Sequence, residues 1–196
     1  FQHYVATGEE LPLEESSHIS CFACHAPHTN GDFSMRVNDP VDLTHGNTYN
    51  KGLSNTCAVC HQSRPVSPAI DSPDPITGTR WGPHYAPQAN ILSGQGAYEF
   101  PGVTYETDAA HNIGNTNGCV TCHMASGITD NDSLGIRKVG GHCLRMRDAG
   151  PDGDPGTADD LQNLEACRKC HPGLDTFDRN GFRTAQKSKL LKLEAL

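Results

Sequence analysis

Cys21-Phe22-Ala23-Cys24-His25-Ala26-Pro27-His28 is the stretch on which the fold of this chain turns, because its C-x-x-C-H core returns three times. The repeats are Cys57-Ala58-Val59-Cys60-His61, Cys119-Val120-Thr121-Cys122-His123 and Cys167-Arg168-Lys169-Cys170-His171, so eight of nine cysteines are used. At the chain's Cys and His frequencies, roughly 0.02 such motifs are expected by chance. Two thiols three residues apart can each form a thioether to one vinyl group of the same haem, and the next residue, histidine, then lies against the iron as its proximal ligand. Structural zinc uses paired C-x-x-C but does not require a histidine directly after every second cysteine. A thioredoxin-like redox motif wants a strand-to-helix context that is missing here, and a disulfide framework explains the histidines no better. The spacing therefore predicts four covalent c-type haems.

The composition agrees with that reading. Only 35% of the 196 residues are hydrophobic and 6% aromatic, against 20 glycines and 13 prolines, which is lean for an ordinary core-forming domain. Porphyrin faces would supply the missing apolar filling. The first cysteines of the motifs, 21, 57, 119 and 167, are unevenly spaced, so no solenoid of identical modules is indicated. At about 49 residues per haem, four separate domains are too small to stand alone. The expected architecture is one tetrahaem domain over 1–196, mostly coil with short α-helices wrapped around a stacked chain of four haems and with little β structure. Glycine and proline mark 65–75, 76–83 and 149–157 as loops.

Formal charge is −8, which argues against nucleic-acid binding, since phosphate recognition needs a concentrated basic face. No apolar run reaches the roughly 18 residues of a membrane span, which sets aside the membrane-anchored quinol dehydrogenases. Covalent haem attachment normally takes place outside the cytoplasm, so a periplasmic or extracellular location is expected. The start at Phe1, without Met, charged n-region or apolar h-region, reads as a processed product.

Two helices are the clearest. Asp159 or Asp160 as N-cap, followed by Leu161, Leu164, Cys167 and Cys170, predicts a helix over 159–171 that the fourth motif closes. Leu190, Leu193 and Leu196, with Lys187, Lys189 and Lys192, predict an amphipathic C-terminal helix over about 184–196. Residues 178–196 carry a net charge of +3 on an otherwise acidic chain, so this helix is either packed on its own subunit or docked on an acidic surface. Asp148, Asp152, Asp154, Asp159 and Asp160 cluster among glycines; Ca²⁺ is weighed there against a solvated acidic loop, and the spacing does not satisfy the EF-hand pattern. The sequon at Asn131-Asp132-Ser133 is given no function.

Beyond the proximal His25, His61, His123 and His171, the chain offers His3, His18, His28, His45, His84, His111 and His142 for four distal positions. Bis-histidine ligation closes both axial sites and favours electron exchange over substrate chemistry. Met35 and Met146 are weaker candidates, and Met124 follows His123 too closely to reach the opposite face. His28 lies three residues after His25, and even a fully extended path of about 10 Å is too short to round a porphyrin edge. It is therefore expected on a different haem, in the same chain or in another subunit.

With its N-terminal Phe1 and the first motif quoted above, the chain resembles the secreted multihaem cytochromes that polymerise into conductive filaments. Further similar segments are Trp81-Gly82-Pro83-His84-Tyr85-Ala86-Pro87-Gln88, the stretch from Ala110-His111 to Met124, Gly140-Gly141-His142-Cys143-Leu144-Arg145-Met146, and Phe177-Asp178-Arg179-Asn180-Gly181. With four motifs, the likeness is to the tetrahaem, OmcE-type nanowire cytochromes and their archaeal relatives, over about 18–185. That resemblance implies His84, His111 and His142 as distal ligands within the chain and His28 as the ligand donated to a neighbouring subunit, with His45 and then His18 in reserve. It also implies identical subunits in a helical filament as partners, with redox proteins or extracellular minerals as donor and acceptor. Cys143 has no place in that scheme.

Three functions compete at this point. The leading expectation is an extracellular electron conduit that is not an enzyme. A monomeric periplasmic tetrahaem shuttle differs from it in the fate of His28, which then ligates within its own chain. A multihaem nitrite- or hydroxylamine-converting oxidoreductase would use an open or unusual axial position, whereas all four motifs here end in histidine.

Overall fold

The computed structural model describes residues 19–26, 33–44, 47–64, 72–77, 86–96, 99–106, 110–126 and 138–195. The chain falls into two compact units, Phe1–Gly118 and Cys119–Leu196, and each carries two of the four motifs. This division is one of the polypeptide's own contacts, and the single haem-filled domain over 1–196 stays a proposal.

In the first unit the described elements are α1 (Cys21–Cys24), β1 (Val41–Asp42), β2 (Thr48–Tyr49), α2 (Asn55–Cys60), α3 (Gln88–Leu92) and α4 (Ala110–Ile113). β1 and β2 pair antiparallel, Val41 with Tyr49 and Asp42 with Thr48. A 3₁₀ turn, Gly52–Ser54, leads into α2. The stretch 33–39 ties the first motif to the second: Ala26 N–H donates to Ser34 O at 2.9 Å and Arg36 N–H to Cys24 O at 2.8 Å. Further along, Thr56 Oγ1 bonds Val37 N–H at 3.2 Å, and Asn55 Nδ2 donates to Asn38 O at 3.0 Å and Asp39 O at 3.1 Å.

The second unit contains α5 (Cys119–His123), β3 (Arg147–Asp148), β4 (Leu161–Gln162), α6 (Glu165–Arg168) and α7 (Phe182–Glu194), with 3₁₀ turns at Gly141–Cys143 and Arg179–Gly181. α5 and α6, which carry the third and fourth motifs, pack against each other. The helix expected over 159–171 is replaced by β4 and the shorter α6. The reason is a partner distant in sequence: Asp160, read as an N-cap, instead accepts from Arg147 Nε at 2.9 Å and from Gly156 N–H at 2.8 Å. Asn163 N–H donates to Met146 O at 2.8 Å and prolongs the β3–β4 pairing, while its Oδ1 accepts from Glu165 N–H at 3.4 Å where the real helix begins.

α7 starts at Phe182, two residues before the expected position. Asp178 accepts from Arg183 N–H at 2.7 Å and Thr184 N–H at 3.3 Å, so it satisfies first-turn donors across the Arg179–Gly181 turn. Asn180 and Gly181 are both left-handed there, φ 53° and 71°, which lets the chain double back so soon. No residue of α7 is buried, and Phe182, Leu190, Leu191 and Leu193 are all exposed.

Among the described residues the buried apolar side chains are Leu43, Tyr49, Ala58, Ala89, Val139, Leu164 and Ala166. Ser54, Asn55, Thr56, Gln62, Ser63, Asn90 and Asn163 are buried polar ones. The two sets are equal in number, so much of the local order rests on hydrogen bonds rather than on apolar packing.

Candidate functional site

Each motif is built on one helical turn. α1 spans Cys21 and Cys24, α2 contains Cys57 and Cys60, α5 contains Cys119 and Cys122, and Cys167 lies in α6 with Cys170 just beyond its end. Residues three apart on a helix share a face, so each pair of thiols is presented on one side. The turn then closes on the histidine: His25 N–H donates to Cys21 O at 2.9 Å, His61 N–H to Cys57 O at 2.9 Å and His171 N–H to Cys167 O at 2.8 Å. His123 is the last residue of α5 itself. None of the nine cysteines is joined in a disulfide.

The imidazoles are oriented by their second nitrogen. His25 Nδ1 donates to Phe33 O at 2.7 Å, His123 Nδ1 to Leu144 O at 2.8 Å and His61 Nδ1 to Gln88 Oε1 at 3.3 Å. All three acceptors are carbonyl oxygens, which cannot donate, so the proton sits on Nδ1 and Nε2 is the nitrogen that carries the lone pair. A metal-binding imidazole is arranged in this way, with its other N–H fixed to an acceptor.

This donor set fits a covalently attached haem. Two thiols on one face of a turn and one imidazole with its Nε2 directed away from its anchoring carbonyl are what thioether attachment and proximal ligation require. Cys21 with Cys24, Cys57 with Cys60, Cys119 with Cys122 and Cys167 with Cys170 would hold the porphyrins, and His25, His61, His123 and His171 the irons. Burial pushes the Cys122 thiol up, and the neighbouring Cys167 and Cys119 push it further. Cys122 and Cys167 belong to different motifs, which the packing of α5 against α6 brings close together.

Of the expected distal ligands, His111 and His142 fall within the described structure, and His18, His28, His45 and His84 lie outside the described residues. His111 is an exposed residue of α4. His142 is exposed on the 3₁₀ turn Gly141–Cys143. That turn is folded tightly: Gly140 N–H donates to Arg145 O at 2.8 Å, Gly141 N–H to Ala125 O at 3.2 Å and Cys143 Sγ–H to Gly140 O at 2.9 Å. Gly140, Gly141 and Leu144 all have positive φ, 73°, 55° and 58°. The same turn thus presents His142 and, through Leu144 O, orients His123.

Hydrogen bonds within the acidic loop occupy most of its carboxylates. Asp148 Oδ1 accepts from Gly150 N–H at 3.2 Å, Asp152 Oδ1 from Asp154 N–H at 2.8 Å and Asp159 Oδ1 from Thr157 Oγ1 at 2.6 Å. Asp160 pairs with Arg147. Among the described residues no three His, Cys, Asp or Glu side chains converge to hold a metal ion. The anchoring acceptors Phe33 O, Leu144 O and Gln88 Oε1 went unrecognised in the sequence. Two of them are main-chain atoms with no residue signature, and Gln88 stood out only as the end of a quoted segment.

No helix among the described residues is long and apolar enough to cross a membrane. Compared with family models, curated proteins and solved structures, the chain matches none.

Proposed function

We propose that this chain is a tetrahaem c-type cytochrome that carries electrons and makes or breaks no substrate bond. The observation that carries the reading is the conjunction, in three motifs, of a C-x-x-C-H turn with an imidazole whose Nδ1–H is held by an oxygen, so that Nε2 is the nitrogen with the basic lone pair. Haem, when bound, supplies the electron chemistry. The polypeptide fixes the position of each group, sets the basicity of its axial ligand and limits its contact with water.

The fuller form of the proposal takes the four haems as bis-histidine, with His28, His84, His111 and His142 as distal ligands and His28 serving a neighbouring subunit. Identical subunits then continue the stacked haems into an extracellular filament that hands electrons to redox proteins or minerals. The C-x-x-C-H-x-x-H spacing supports only that His28 serves a haem other than its own; the neighbouring subunit, the other distal ligands and the filament rest on the resemblance to the filament-forming multihaem cytochromes.

The test is electron microscopy of the native exported protein together with its covalent haem content. Four haems per chain and continuous filaments of regular spacing are expected. Four haems with uniform single particles across a wide concentration range would replace the filament by the periplasmic shuttle, and fewer than four would overturn the tetrahaem reading.

A further inference from the structure

We infer that Gln88 is a positioning residue for the iron of the second motif, setting the donor strength of His61 and with it the potential of that one haem. The inference rests on the haem reading above. Its basis is an asymmetry among the anchored imidazoles. His25 and His123 lean on main-chain carbonyls at 2.7 and 2.8 Å, whereas His61 leans on a side-chain amide oxygen at 3.3 Å.

The backbone beneath Gln88 has little freedom to drift. Gln88 is the first residue of α3, and the next residue, Ala89, is fully buried and donates its N–H to His61 O at 2.8 Å. Asn90, also fully buried, accepts from Ser63 N–H at 2.8 Å and donates to Thr44 O at 2.9 Å. Gln62 completes the frame by accepting from Thr44 N–H at 2.8 Å. His61 and the residues that follow it are thus tied to the residues that follow Gln88, and the exposed Gln88 side chain closes the last gap to the ring.

An acceptor on Nδ1–H draws the proton outward, gives the imidazole more anionic character and makes Nε2 a stronger donor, which favours ferric over ferrous iron. A longer bond polarises the ring less. Removing the amide should therefore raise the potential of the second-motif haem, and a stronger acceptor in its place should lower it. A purely structural role would not produce shifts of opposite sign.

The experiment is spectropotentiometric titration of the full-length holoprotein, with the moving haem assigned by paramagnetic NMR, in wild type, Gln88→Leu, Gln88→Glu and Ile91→Glu. Ile91 is 67% exposed on the same short helix and controls for added charge alone. The expected result is one potential of four moving up in Gln88→Leu and down in Gln88→Glu, further than in Ile91→Glu, while the other three stay in place. Shifts of the same sign in both Gln88 variants, or a Glu shift no larger than that of Ile91→Glu, would overturn the assignment. If Gln88→Leu fails to mature, the comparison of the two Glu variants decides. Haem content measured on the same samples separates the two failures: four haems with unmoved potentials sink Gln88 alone, and a wild-type chain without covalent haem sinks the haem reading.

Discussion

Around the second motif the chain is held by buried side-chain amides, whereas around the third it is held by main chain turning through left-handed conformations. Asn55, Gln62 and Asn90 bridge segments up to 46 residues apart in the first case. In the second, Gly140, Gly141 and Leu144 bend the backbone until Leu144 O reaches His123. Both arrangements deliver an oxygen to Nδ1 of a motif histidine. What differs is how they can fail: an amide bridge is lost by one substitution, while a main-chain turn is lost only when its φ values become too costly.

The sharpest way to break this comparison is to truncate one buried amide on each side. Asn90→Ala removes bonds at 2.8 and 2.9 Å and strands a buried donor, Ser63 N–H, and a half-buried acceptor, Thr44 O, so unfolding free energy should fall by about 2–4 kcal/mol. Asn163→Ala in the second unit removes longer bonds, 3.3 Å to Ala125 O and 3.4 Å from Glu165 N–H, and should cost about 1–2 kcal/mol. Denaturant titration of both variants gives the comparison directly. Equal losses would mean that the first unit does not depend on its amides more than the second.

Acid gives a smaller effect, and it acts on the second unit. The hydrogen bond from Thr157 holds the Asp159 carboxyl below its ordinary range, that from Arg147 does so for Asp160, and that from Thr184 for Asp178. A carboxyl whose folded-state value is lowered stabilises the fold fully above its ordinary pKa and loses that contribution as pH falls through the folded value. Below the ordinary 3.8 the loop 148–160 and the start of α7 should therefore loosen. Hydrogen exchange followed from pH 5 to pH 2 should show this loosening, and Asp178→Asn should flatten the response at Thr184. An unchanged profile in that variant would remove Asp178 from the account.

The smallest effect tests the turn itself. Leu144 is a non-glycine residue with φ 58° and is 43% exposed, so it bears left-handed strain with modest burial in return. Leu144→Gly relieves the strain but loosens the unfolded chain, and the two should cancel to within about 1 kcal/mol. Leu144→Val cannot relieve it and should destabilise. Thermal unfolding of the pair separates a turn that needs its φ from one that needs its side chain.

How much of this was legible in the sequence follows from the range of each interaction. The C-x-x-C-H turns are local, and each of the four motifs forms one helical turn. Asp178 shows the same at smaller scale: its pairing reaches only six residues to Thr184, and α7 begins two residues from the expected place. Asp160 shows the opposite, since its partner Arg147 lies 13 residues back and no cap rule anticipates it. The oxygens that orient His25 and His123 belong to the peptide backbone, which every residue carries, and composition cannot single them out.

If the chain is exported, as proposed, the even division of the described buried residues between polar and apolar has a consequence for how it survives. On the proposed reading, a polypeptide whose described buried residues are half polar opens readily before its haems are attached and lies within reach of proteases outside the cytoplasm. On the proposed reading, the amount of finished protein is then metered by the supply of haem to the maturation machinery rather than by the rate of translation, and degradation clears whatever was left unfilled.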